Sequence, residues 1–253
     1  MAGRVQGKVA LVTGGASGVG RETVLLLARE GAQVLISDIN VEAGQALVAE
    51  IGGAASFIRH DAASEADWNA VIEALRARYG RLDILVNNAG ILLKGSIEDA
   101  SLDDWHRLQR INSDSVFLGC RAGIALMKEG AGGSIINISS LAALAGKDDY
   151  AAYSASKGSV AALTRSVAAH CRRSKYRIRC NSLHPDGVLT PMTNAQYPAG
   201  MDPSKFTIDI DPMNRMCLPE DVAASVLYLA SDDSRAINGV ELRVDSGQFV
   251  MSI

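Results

Sequence analysis

The chain has 253 residues, 48% of them hydrophobic and 21% charged, with 24 Gly and 6 Pro, a globular profile with length enough for one large α/β domain. A formal net charge of −3 argues against a nucleic-acid or polyanion partner, which needs concentrated Lys and Arg. No apolar run approaches the roughly 20 residues that span a bilayer, and "MAGRVQGKVALVTGG" enters a strand-like run directly, so neither a signal peptide nor a membrane partner is expected.

Short β-branched runs alternate with longer helical patterns. Strands are expected at 8–14, 33–38, 55–61, 83–90, 133–140, 177–185 and 239–247. Helices are expected at 18–30, 64–80, 101–130 with a bend, 153–171 and 219–232. Ser64 and Ser101 read as helix caps and Pro219 as a first helical residue. Alternating βα units imply a parallel sheet covered on both faces, and the nearly continuous apolar character of the strands agrees. The expected fold is a doubly wound, seven-stranded parallel sheet of Rossmann type. Residues 1–253 are expected to form a single domain, with one irregular segment at about 186–218. The cysteines, Cys120, Cys171, Cys180 and Cys217, make no CxxC pair and read as reduced, in keeping with a cytoplasmic location. The histidines, His60, His106, His170 and His184, form no ligand cluster, so no metal is expected.

The first strand runs into "TGGASGVG", Thr13 to Gly20, and then into a helix. Gly14, Gly18 and Gly20 permit close approach of backbone to a ligand. The helix start that follows, with Ser17 and Val19, offers free N–H groups and a positive dipole end to a pyrophosphate. Asp38 ends the second strand, eighteen residues after Gly20. A carboxylate there accepts from a ribose diol and repels a 2′-phosphate, which favours NAD over NADP. The alternative is that Asp38 caps the next helix, and Arg21 is a nearby cation that could blur the preference. "HDAAS" and "NNAG" end the third and fourth strands. Asp61 and Ala62 are assigned to the adenine end; Asn87, Asn88, Ala89 and Gly90 are assigned to the nicotinamide ribose side, because ligands bind beyond the carboxyl ends of strands in an open parallel sheet.

In "YSASK", Tyr153 and Lys157 are i and i+4 and share a helix face. A phenol with a pKa near ~10 is a poor base at neutral pH. A neighbouring ammonium, together with a cationic nicotinamide ring, stabilises the phenolate and lowers that value. Tyr153 then exchanges a proton with an alcohol while hydride moves to or from the nicotinamide. Ser140 ends the fifth strand and is placed to hydrogen-bond the same oxygen. Ser139 is the alternative serine, and Ser140 is preferred for its spacing to Tyr153. Asn112 is expected to interrupt the long helix and hold a water beside Lys157. Tyr150 is out of phase with Lys157 and has no proton-transfer role. His184, beside Pro185, reads as a packed or capping residue.

Taken together, "TGGASGVG", "NNAG", Asn112, Ser140 and "YSASK" resemble the short-chain dehydrogenase/reductase family over essentially the whole chain. The resemblance implies that Tyr153 is the catalytic acid/base. It implies that Lys157 lowers the tyrosine pKa and binds the nicotinamide ribose, that Ser140 positions the substrate oxygen and that Asn112 completes a proton relay. Pro185, Val188 and Thr190 match the family's nicotinamide-contacting segment. It further implies a homotetramer built partly on helices 101–129 and 153–171. Two departures stand out. Asp186 occupies "HPDG", where the family has Pro-Gly, and Ser246 occupies "VDSG", where the family has Asp-Gly-Gly. The "HPDG" variant, with "GILL" at 90–93, is similar to bacterial 3β/17β-hydroxysteroid dehydrogenases.

Residues 191–217 show little periodicity and hold Met192, Met201, Met213 and Met216, with Tyr197, Phe206 and Ile208. Methionine adapts to a bulky apolar ligand, and long structured insertions are frequently lids. "LAALAG" after Ser140, Ala142 included, forms the opposing apolar wall. The substrate is therefore expected to be a bulky apolar secondary alcohol, a hydroxysteroid foremost, or its ketone. A smaller cyclic, aromatic or terpenoid alcohol is the alternative. Neither segment carries a cation cluster, which disfavours an acyl-thioester ketoreductase. A non-enzymatic dinucleotide sensor is disfavoured by the complete Asn112, Ser140, Tyr153, Lys157 set.

Overall fold

The computed structural model describes residues 3–197, 200–210 and 216–251. Its strands are β1 (Val9–Thr13), β2 (Gln33–Asp38), β3 (Ala55–Arg59), β4 (Ile84–Asn87), β5 (Gly133–Ile138), β6 (Ile178–Pro185) and β7 (Glu241–Val244). They form one sheet in the order β3-β2-β1-β4-β5-β6-β7, with every pairing parallel. The intervening helices are α1 (Gly18–Arg29), α2 (Val41–Ile51), α3 (Glu65–Tyr79), α4 (Leu102–Leu108), α5 (Ser115–Met127), α6 (Ala151–Arg173), α7 (Pro191–Asn194) and α8 (Pro219–Ala230).

Alternate residues of each strand feed opposite layers. Ala10, Val12, Ile36 and Ile136 pack with Val24 and Leu27 of α1 and Val222 and Val226 of α8. Leu11, Leu35 and Ile135 pack with Trp68 and Leu75 of α3, Val116 of α5 and Val160 of α6. A strand whose successive side chains both meet a core reads as continuously apolar, which is why the pattern is so plain in the sequence.

The helix entries lie where the sequence marks them. The Ser64 side chain accepts from Asp67 N and the Ser101 side chain from Asp104 N, and Pro219 opens α8. The bend in 101–130 is a turn of π-helix, Gln109–Asp114, between α4 and α5. Helix α2 is an element the sequence patterning did not single out. Asn40 caps it and Gly52 ends it, which are the available signals, but Gly44 in its middle weakens the helical pattern. Gly44 is there for packing: a Cβ would lie 2.1 Å from the Phe57 ring on β3. The strand order reverses direction between β1 and β4, so the carboxyl ends of these two strands open a crevice.

Candidate active site

The glycine loop and the β4 end meet in that crevice. Gly14 has φ 61°, and a Cβ on it would lie 2.9 Å from Ala89 Cα. A Cβ on Gly20 would lie 2.1 Å from the Gly14 carbonyl oxygen. Only glycine lets the loop fold this closely onto both the helix start and the neighbouring strand end. Asn88 Nδ2 donates to the carbonyls of Thr13 and Gly14, at 2.9 and 3.0 Å. The N–H groups of Asn88 and Ala89 both donate to Thr13 Oγ1 at 3.0 Å. The Ser17 side chain makes no capping bond to α1.

A cleft of about 420 Å³ opens over this crevice. It is lined by every residue assigned to the cofactor except Gly20 and Asn87: Gly14, Ser17, Gly18, Val19, Asp38, Asp61, Ala62, Asn88, Ala89, Gly90, Tyr153, Lys157, Pro185, Val188 and Thr190. Gly20 shapes the loop from behind. Asn87 is a correction to the sequence reading. It is buried and its Nδ2 donates to Asn137 Oδ1 in the core at 2.8 Å, because strand alternation turns it away from the face that Asn88 joins. Ile39, Ile91, Leu92 and Arg110 line the cleft too and were not expected there, although Ile91 and Leu92 belong to "GILL".

Asp38 is half-buried. Its carboxylate accepts from Ala16 N at 3.0 Å and Asn40 N at 2.9 Å. It does not cap α2, since Asn40 does. Arg21, the cation that could have blurred the choice of dinucleotide, is held by Glu22 and Glu50. Asp61 accepts from Ala63 N at 3.0 Å, and the Ala62 carbonyl is fixed by the Trp68 indole N–H at 2.8 Å.

At the other end of the cleft, Lys157 is buried and its Nζ donates to the Ile138 carbonyl at 2.9 Å. Ser139 Oγ is used internally, donating to the Lys157 carbonyl at 2.9 Å. Ser140 is half-buried and lines the cleft beside Tyr153. Asn112 is buried in the π-helical turn. Its Oδ1 accepts from Ile91 N at 2.8 Å, and its Nδ2 donates to the Ile91 carbonyl at 3.0 Å and Ser156 Oγ at 3.1 Å. A Cβ on Gly90 would meet Asn112 Oδ1 at 3.1 Å and Lys157 Nζ at 3.4 Å, so the two side chains converge on that glycine. The Asn112 side chain is therefore a brace for the 90–91 turn.

Burial pushes the Tyr153 phenol up to about 12, with the Ser140 hydroxyl working in the opposite direction. Burial pulls Lys157 down to about 8. The expectation that Lys157 lowers the phenol pKa is not met by the chain's own groups. The ammonium lies 5.9 Å from the ring centroid, and burial, with Tyr150 adding to it, sets the direction of the phenol's shift.

A second chamber of about 480 Å³ shares Leu92, Ser140, Tyr153, Asp186 and Thr193 with the cleft. Ala142 and Met216 line it, with Tyr150, Tyr197, Met201 and Phe206. Met192 instead lines the first cleft and is 42% exposed. Met213 lies outside the described residues. Both departures have visible structure. Asp186 pairs with Lys147 at 3.3 Å across the chamber, and Ser246 has φ 50°, the left-handed region. Among the described residues no group of His, Cys, Asp and Glu could hold a metal, and no helix is long and apolar enough to cross a membrane.

The family model described as enoyl-(acyl carrier protein) reductase matches residues 14–248. The chain belongs to the short-chain dehydrogenase/reductase family, whose members use nicotinamide dinucleotides. It is 52% identical to a 3-beta-hydroxysteroid dehydrogenase of Comamonas testosteroni, covering 100% of both chains. It is 43% identical to a cyclopentanol dehydrogenase of Comamonas sp. (strain NCIMB 9872), over 97% of this chain and 98% of that one. An NADP-dependent (R)-specific alcohol dehydrogenase of Lentilactobacillus kefiri is 38% identical over 98% of both. Among solved structures, that titled "Crystal structure of gox2181" superposes with a TM-score of 0.89 at 31% identity, covering 98% of each chain.

Proposed function

We propose that this family member is an NAD-dependent dehydrogenase that interconverts a bulky apolar secondary alcohol, a hydroxysteroid foremost, and its ketone. The observation that carries the reading is the meeting of two chambers at Ser140 and Tyr153. One has the glycine cradle and Asp38; the other has Ala142, Met201, Phe206 and Met216. Likeness to the Comamonas testosteroni hydroxysteroid dehydrogenase along both full chains supports the substrate class.

The residues fit a dinucleotide. Gly14 and Gly18 line the cleft at the uncapped start of α1, where a pyrophosphate would lie, and Asp38 retains acceptor capacity for a ribose diol. When bound, NAD would supply the hydride acceptor and a positive charge that favours the phenolate. In ketone reduction the protonated Tyr153 phenol gives its proton to the carbonyl oxygen; in oxidation it acts as the phenolate, after releasing that proton to solvent, and takes the proton of the alcohol. Ser140 donates its hydroxyl hydrogen bond to the same oxygen. Lys157 has three donors and gives one to Ile138, which leaves two for the cofactor ribose. Asn112 holds the Ile91 backbone, and with it the Gly90 turn beside Lys157. The phenol's high pKa keeps it protonated at neutral pH, the state that ketone reduction requires.

The homotetramer implied by the resemblance would cover Leu102, Trp105 and Phe117, which are exposed on α4 and α5. A smaller cyclic alcohol is the second reading, favoured by likeness to the cyclopentanol dehydrogenase. An acyl-thioester substrate is less well served, because Lys147 is paired with Asp186 and Lys94 donates to the Gln196 carbonyl. Steady-state kinetics with NAD and a panel of hydroxysteroids, cyclopentanol, cyclohexanol and terpenoid alcohols tests the proposal. A hydroxysteroid should give the highest kcat/KM. A monocyclic or terpenoid alcohol exceeding every steroid would leave only the broader dehydrogenase reading.

A further inference from the structure

His184 ends in the core beside the active site, and no step above uses it. It is fully buried near the end of β6. Its ring is held at both nitrogens: Nδ1 lies 3.0 Å from the Ser140 carbonyl oxygen, and Nε2 lies 2.8 Å from Ser182 Oγ. A carbonyl oxygen only accepts, so Nδ1 carries the proton. In the neutral ring Nε2 then accepts from the Ser182 hydroxyl, whose single proton serves this 2.8 Å contact in preference to the Val240 carbonyl at 3.4 Å. Burial lowers the imidazole pKa, against the Ser140 carbonyl, which raises it; Lys157 and Arg165 add to the lowering, and the ring stays neutral.

The corner around Ser140 is pinned residue by residue. Lys157 Nζ holds the Ile138 carbonyl, and Ser139 is held through its N–H to the Leu183 carbonyl at 2.8 Å and its hydroxyl to the Lys157 carbonyl. These bonds stop one residue short of Ser140. The Ser140 carbonyl accepts locally from Ala143 N at 3.0 Å, and its second lone pair is met by His184. Among the described residues, His184 is what ties the Ser140 backbone to the sheet. With both nitrogens engaged and no exposed surface, the imidazole has no path to act as a base in the cleft.

We propose that His184 is a positioning residue for Ser140: its neutral, Nδ1-protonated ring fixes the Ser140 backbone so that the hydroxyl meets the substrate oxygen beside Tyr153. The inference rests on the reading of Ser140 as the donor to that oxygen. Ser182 is the tautomer lock, because it engages the nitrogen that must lack the proton.

Asparagine places its amide N–H near the Nδ1 position, whereas glutamine reaches toward Nε2. The test compares His184→Asn, His184→Gln and His184→Leu by kcat, KM, cofactor affinity from fluorescence titration, and Tm. Misplacing a reacting group by about 1 Å costs on the order of 10²-fold, so Gln and Leu should lower kcat by about 10–100-fold. Asn should restore most of it, to within about 5-fold of the parent, with cofactor affinity little changed in all three. In a Ser140→Ala background His184→Gln should produce almost no further loss, because the group it positions is gone. Equal losses for Asn and Gln, or cofactor affinity falling in step with kcat, would overturn the proposal, and the Asn and Gln pair decides even where His184→Leu fails to fold. Full turnover by Ser140→Ala alone would remove the reading of Ser140 and the positioning role together. A loss in Ser140→Ala with an equal additional loss from His184→Gln would remove only the role of His184.

Discussion

Lys157 Nζ donates to the Ile138 carbonyl at 2.9 Å, tying the second turn of α6 to the last residue of β5. The bond brings a buried ammonium to the foot of the cleft, where Gly90 and Asn112 also converge. One hydrogen bond to a neutral carbonyl does not replace the hydration of a charge, so the lysine pKa falls from 10.5 to about 8.

This shift has a sign in stability. Between about pH 8 and 10.5 the unfolded chain holds a proton on Lys157 that the folded chain has released. Stability gains from this site as pH rises through that window, and the burial penalty is in full force below it. Tyr153 acts oppositely: its folded pKa of about 12 against 10.0 makes stability fall as pH rises between those values. Urea unfolding of the parent and Lys157→Met at pH 7.5 and pH 9.5 should show the parent gaining relative to the variant at the higher pH. A difference that does not move with pH would mean the lysine is not depressed.

Tyr153→Phe removes the exchangeable proton and keeps the ring. Turnover should fall by roughly 10²–10⁴, while cofactor affinity stays within a few-fold of the parent. Activity close to the parent's would assign proton transfer to another group.

The part of the site that was legible in the sequence is the part held by short-range rules. Gly14, Asp38 and Asn88 sit at strand ends, and strand ends follow from apolar runs that stop. Tyr153 and Lys157 share a helix face because helical spacing requires it. Asn87 was misread because "NNAG" does not say which asparagine faces the crevice, and the pleat turns the first one inward to Asn137. The chamber was only partly legible. Its segment at 186–218 is held by isolated long-range bridges, Val188 to Cys217 and Thr207 to Met216, and these have no local period. Thus Met192 and Met216, neighbours in composition, line different cavities. The π-helical turn was foreseen as a bend at Asn112, but the brace to Ile91 depends on a loop twenty-one residues away in sequence.

That brace has a measurable weight. Asn112→Ala leaves the Ile91 N–H and carbonyl without the partner they have in the parent. These groups are part-buried at the edge of the cleft, so their loss should cost about a typical net hydrogen bond each, roughly 0.5–1.5 kcal/mol, and the unfolding free energy should drop accordingly. Turnover should fall as well, since the 90–91 turn borders Lys157. A variant with parental stability would show that Ile91 is satisfied some other way.

Cofactor choice should follow Asp38. With the wild-type carboxylate, kcat/KM for NAD should exceed that for NADP, and Asp38→Ala should narrow the gap by about 10–100-fold, the worth of hydrogen bonds to a charged group. Arg21, the nearby cation, is engaged by Glu22 and Glu50. Equal or better kcat/KM with NADP in the parent would overturn the assignment.

The chamber beside Ser140 and Tyr153 makes a finer prediction about substrate size. Met216 is only 6% exposed, packs near the Tyr197 hydroxyl at 4.0 Å and lines the chamber with Phe206 and Ala142. A rigid polycyclic alcohol reaching this wall buries apolar surface that cyclohexanol does not, at roughly 25 cal/mol per Å². Part of that gain is lost in ordering the segment around it. Met216→Ala removes wall that only the larger substrate touches, so KM should rise for a hydroxysteroid by several-fold more than for cyclohexanol. Met192→Ala, on the cofactor side and partly exposed, should discriminate less between the two. The measurement is the ratio of KM changes for one steroid and one monocyclic alcohol in each variant. Equal changes for both substrates in Met216→Ala would mean that the alcohol's skeleton does not enter this chamber.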